Sequence, residues 1–61
     1  MKLVRYEVEI DSPKGHFWID VPSMIGPDAA GRRAYITAVS MGWGDFDEVT
    51  VVSITPLEEL A

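Results

Sequence analysis

KLVRYEVEIDSPKGHFWIDVP, residues 2–22, alternates apolar and polar side chains twice, from Lys2 to Ile10 and from Gly15 to Pro22, around a break at Asp11-Ser12-Pro13-Lys14. Successive side chains of a strand point to opposite faces, so this pattern, broken once by turn-forming residues, reads as a half-buried β-hairpin. The phase assigns the faces. With Val4, Tyr6, Val8 and Ile10 turned inward beside Phe17, Ile19 and Val21, the residues His16, Trp18 and Asp20 fall on the other face with Arg5, Glu7 and Glu9. A tryptophan is thereby set among charged side chains.

Downstream, Pro22-Ser23-Met24-Ile25-Gly26-Pro27 breaks the alternation and serves as a connector. Pro27 suits a first helical turn, where its missing N–H has no intrahelical partner to lose. Asp28 near the start and Gly42 past the end are the matching charge and stop signals, which predicts a helix over residues 28–41. Ala30, Ala34, Ala38 and Met41 share one stripe and let the helix sit close on a sheet. Ile36 and Val39 fall on the far side, Tyr35 at the margin, and Gly31 weakens the helix by about 1 kcal/mol relative to alanine. Gly42-Trp43-Gly44-Asp45-Phe46-Asp47 reads as a loop whose aromatics close the end of a small core. Glu48 to Thr55, rich in Val, Ile and Thr, reads as a third strand. Thr55-Pro56-Leu57-Glu58 fits a capping box and predicts a short terminal helical turn through Leu60.

The expected fold is therefore α+β, a β-β-α-β chain over residues 1–61 forming one domain. A right-handed crossover places strand one in the centre of a three-stranded antiparallel sheet of order 2-1-3, with the helix on one face and the other face open.

Composition narrows the function. The chain has 61 residues, 10 acidic and 5 basic, a net charge of −5 and no cysteine. Disulfides, thiolate zinc sites and cysteine nucleophiles are excluded, and a single histidine removes most other metal sites. The N-terminal apolar residues alternate with charges, which is neither a signal-peptide core nor a membrane span, so a cytoplasmic protein is expected. Lys2, Arg5, Lys14, Arg32 and Arg33 are too few and too scattered for a phosphate-binding stripe, so direct nucleic-acid binding is not expected. An acidic surface instead steers toward basic partners.

No catalytic constellation emerges. His16 is within orienting range of Glu7 or Asp20, but a lone histidine on a polar strand face reads as solvated. Ser12, Ser23, Ser40 and Ser53 lie on different elements with no further histidine to serve them. Asp45, Asp47 and Glu48 lack the spacing of a twelve-residue calcium loop, and Gly42-x-Gly44 lacks the helix and lysine of a phosphate cradle. No catalytic residue, metal or cofactor is assigned. Trp18, flanked by His16 and Asp20 with Arg5 and Glu7 across the hairpin, reads as the centre and rim of an interface; equally, it can lie flat on its own sheet or pack with Val49 or Val51.

The whole pattern resembles small orphan proteins encoded by bacteriophages and prophages. The residues carrying this are the hairpin, Ala30, Ala34 and Ala38, Gly42-Trp43, and Val51-Val52-Ser53-Ile54-Thr55-Pro56-Leu57. The motifs are structural, so the resemblance implies a fold and a habit of binding host proteins, not an active site. A second similarity is to HicB-type antitoxin domains, through Tyr6-Glu7-Val8-Glu9-Ile10-Asp11 and Phe17-Trp18-Ile19-Asp20-Val21-Pro22 followed by a helix. Here no third strand precedes the helix and no DNA-binding segment follows, so neither toxin neutralisation nor operator binding carries over. The expected function is a non-enzymatic interaction protein that occludes a host protein. The alternative is an accessory protein that pairs with a second copy through its open face or an edge strand.

Overall fold

The hairpin sets the frame of the structure, a computed structural model that describes residues 2–60. Strand β1 (Val4–Ser12) turns through Pro13 and Lys14 into β2 (Gly15–Ser23), followed by helix α1 (Pro27–Ser40) and strand β3 (Thr50–Glu59). All pairings are antiparallel and the order is β2-β1-β3, with β1 central, as the sequence predicts.

Because the turn takes only two residues, pairing extends from Val4↔Ser23 to Ser12↔Gly15. Ser12 reinforces the turn by donating its hydroxyl to the Gly15 carbonyl at 2.9 Å. Tyr6, Val8, Ile10 and Val21 are buried toward the helix, with Ile19 half-buried beside them. At the other end, Ser23 is buried and its Oγ accepts the Ile25 N–H at 3.2 Å, a local turn that takes the chain out of the strand.

Ala30, Ala34 and Ala38 are fully buried, and Gly31 joins them. The fourth residue of the predicted stripe does not. Met41 is 63% exposed because α1 stops at Ser40 and the chain reverses. Gly42, at φ 79°, donates to the Val39 carbonyl and Trp43 to that of Ala38, the paired bonds of a Schellman motif. The reversal brings Trp43, not Met41, onto the core, where its ring stacks against Phe17 with centroids 4.2 Å apart. Of the remaining helix residues, Ile36 is exposed, whereas Tyr35 and Val39 pack against the core edge. Phe46 is exposed and does not close the core; it lies against Tyr35, whose hydroxyl donates to the Phe46 carbonyl.

The third strand starts later and runs further than its sequence predicts. Val49 is a buried core residue just ahead of it. Beyond Ile54 the chain continues as strand through Thr55, Pro56, Leu57 and Glu58, so the predicted capping box and terminal helical turn are absent. Pairing with β1 is the reason. Tyr6 lies opposite Pro56 and Arg5 opposite Glu58, leaving Leu57 as an extra residue in a bulge beside the proline. A second bulge inserts Val52 between the partners of Ile10 and Glu9. Past the strand, the Leu60 N–H still donates to the Leu3 carbonyl at 2.6 Å.

Candidate functional site

The face of the sheet turned away from α1 carries Arg5, Glu7, Glu9 and Asp11 from β1, His16, Trp18 and Asp20 from β2, and Ser53, Thr55 and Glu58 from β3. All five of the residues singled out from the sequence, Trp18, His16, Arg5, Glu7 and Asp20, lie on it. No element of the described chain covers this face.

Two ladders of side chains cross it from edge to edge. In one, Arg5 reaches both neighbours, with Nη1 3.0 Å from Asp20 Oδ2 and Nη2 2.8 Å from Glu58 Oε1. Its Nε is covered and makes no hydrogen bond among the described residues. In the other, Ser53 donates its hydroxyl to Glu9 Oε1 at 2.8 Å, while Glu9 Oε2 meets His16 Nε2. His16 Nδ1 lies 3.8 Å from Asp11 Oδ1. The hydrogen bond from Ser53 and then that from His16 hold the Glu9 carboxyl below its ordinary pKa, outweighing the desolvation that raises it.

The histidine therefore orients toward Glu9 and Asp11, not toward Glu7 or Asp20. A nucleophilic serine requires its hydroxyl to be activated by a base that a third group orients. Here the carboxylate sits between serine and imidazole, and its basicity is reduced.

Glu7 lies between the ladders, opposite Asp20 on one side and Thr55 on the other. Its carboxylate makes no side-chain hydrogen bond or ion pair among the described residues. Trp18 lies directly opposite Glu9 and diagonal to Glu7. Its ring tilts against His16 with centroids 5.0 Å apart, and the residue stays 58% exposed. It cannot pack with Val49 or Val51, which face the helix side: Val49 is in the core, and Val51 lies beside Gly31 and Ile54.

Elsewhere, an open cleft of about 330 Å³ lies between α1 and β3, lined by Asp28, Gly31, Arg32, Tyr35, Val51 and Ile54. Asp45, Asp47 and Glu48 bring carboxylate oxygens within 4.8 Å of one another, all on exposed residues. Glu48 has a local role there, accepting the Asp45 N–H at 2.9 Å while its own N–H donates to the Asp45 carbonyl. No helix among the described residues is long and apolar enough to cross a membrane.

The sequence phase placed Glu9 on this face without marking it as the hub of a ladder, and it did not single out Ser53, the donor to Glu9. The signal was present in the two-residue turn, which sets Glu9 against Trp18. Comparison with family models, curated proteins and solved structures gave no match to this chain.

Proposed function

We propose that this protein is a non-catalytic interaction module that binds another protein through the uncovered face of its sheet. Trp18 forms the centre of that surface, with His16, Arg5, Glu7 and Asp20 around it. The observation that carries this reading is the tryptophan, 58% exposed among side chains that are themselves cross-braced. Interfaces concentrate their binding energy in such large aromatic anchors ringed by polar groups, and the ladders hold the ring's surroundings in place before a partner arrives. In its finer form the proposal is a phage- or mobile-element-encoded protein that acts in the host cytoplasm by occluding a host protein, which extends the resemblance of the hairpin, helix and third strand.

The competing reading, pairing of two copies along an edge strand, has less in its favour. The β3 edge is interrupted by bulges at Val52 and Leu57 and by Pro56, and β2 carries Pro22, all of which hinder strand addition.

Affinity capture from a bacterial lysate tests the proposal, with the wild-type chain and Trp18→Ala as baits after circular dichroism has shown both to be folded. The expected result is a protein recovered by the wild type and depleted from the variant. Equal recovery of the same proteins by both baits would remove the open face as the binding site.

A further inference from the structure

We infer that the occupant of the open face is a basic protein surface that presents arginine side chains; this rests on the reading of that face as the docking site. The charge of the molecule is distributed unevenly. The face holds five carboxylates, Glu7, Glu9, Asp11, Asp20 and Glu58, against the single guanidinium of Arg5. With His16 neutral its formal charge is −4 of the chain's −5, so the remainder of the molecule is within one charge of balance. Arg5 is moreover engaged by Asp20 and Glu58 within the face. What the surface projects toward a partner is negative.

The centre of the face offers two groups that a guanidinium recognises, the Glu7 carboxylate and the exposed Trp18 ring. Glu7 and Trp18 are diagonal neighbours across the hairpin, and such neighbours lie about 7–8 Å apart at Cα, a separation that a long side chain of a partner can bridge. An arginine laid over the indole makes a cation–π contact and turns its fork toward Glu7, whose oxygens have no other partner among the described residues. An apolar occupant would bury the Glu7 carboxylate without compensation. A second copy docked face to face would set −4 against −4, and a nucleic acid would bring phosphates to a negative surface.

The test is a titration of the isotope-labelled full chain with an arginine–glycine repeat peptide and with its lysine, serine and glutamate counterparts, followed by NMR. Trp18→Phe identifies the Trp18 indole signal. The expected result is movement of that signal and of the Glu7 and Glu9 amides with the arginine peptide, weaker movement with lysine and none with serine or glutamate. Affinity should fall about tenfold or more between roughly 50 and 500 mM salt, and Glu7→Gln and Trp18→Phe should each weaken it by about two- to fivefold. If the serine peptide binds the face as well as the arginine one, or salt has no effect, the basic partner is wrong while the docking face stands. If the arginine peptide instead moves the amides of Asp45, Asp47 and Glu48, leaving Trp18 untouched, the docking face itself is wrong.

Discussion

Glu9 links three strands by itself, taking a hydroxyl from β3 and an imidazole from β2 while it sits on β1. Because those bonds depress its pKa, its contribution to stability is complete above the unfolded glutamate value, about 4.3, and is lost as the pH falls through the lower folded value. Denaturant midpoints followed from neutral into acidic solution should therefore decline for the wild type, and less steeply for Glu9→Gln. An identical decline in both would show that other carboxylates carry the acid sensitivity. Gly31 illustrates the opposite kind of residue, one whose value is absence. A Cβ placed there comes within 2.6 Å of Ile54 Cδ1. For alanine the terminal methyl of Ile54 can swing aside, and about 1 kcal/mol of helix propensity offsets the disturbance, so Gly31→Ala should be near neutral. Gly31→Leu has no such escape and should destabilise by about 1–3 kcal/mol, measured by urea unfolding.

Among the elements, α1 and β3 show how far local signals reach. The stop signal of the helix is legible because it resides in one residue: only a backbone at positive φ closes the Schellman motif, and glycine takes that conformation without strain. Gly42→Ala should cost about 1–2 kcal/mol in unfolding free energy. A cost near zero would mean that the reversal is held by the Trp43 ring alone. The hairpin was legible because the inward positions Val4, Tyr6, Val8 and Ile10 of β1 and Phe17, Ile19 and Val21 of β2 keep one period. β3 was legible only as far as Thr55. There Thr-Pro-Leu-Glu satisfies every local requirement of a helix start, and the factor that overrules it is pairing to Arg5 and Tyr6, some fifty residues away, with a bulge to accommodate Pro56. Likewise Gly31 looks like a weakness along the chain and becomes a spacing device once Ile54 lies across from it. The five candidate site residues were legible because their face follows from phase alone; their partners were not, because these depend on register and on β3.

At the scale of the molecule, one face combines an exposed tryptophan with most of the net charge, and these features have opposite effects on self-association. An uncovered aromatic surface favours burial against another copy, whereas like charges brought face to face repel. The repulsion is expected to win in the wild type, leaving it monomeric by light scattering in low salt. Glu7→Gln combined with Asp11→Asn would halve the formal charge of the face, from −4 to −2, without touching the Arg5 ion pairs or the Glu9 hydrogen bonds. That double variant should associate measurably at concentrations where the wild type does not, and adding Trp18→Ala should return it to a monomer. The third substitution carries the discrimination. If the double variant associates and Trp18→Ala leaves that association intact, the copies meet along an edge strand rather than across the sheet. If the double variant stays monomeric, charge is not what keeps two tryptophan-bearing faces apart.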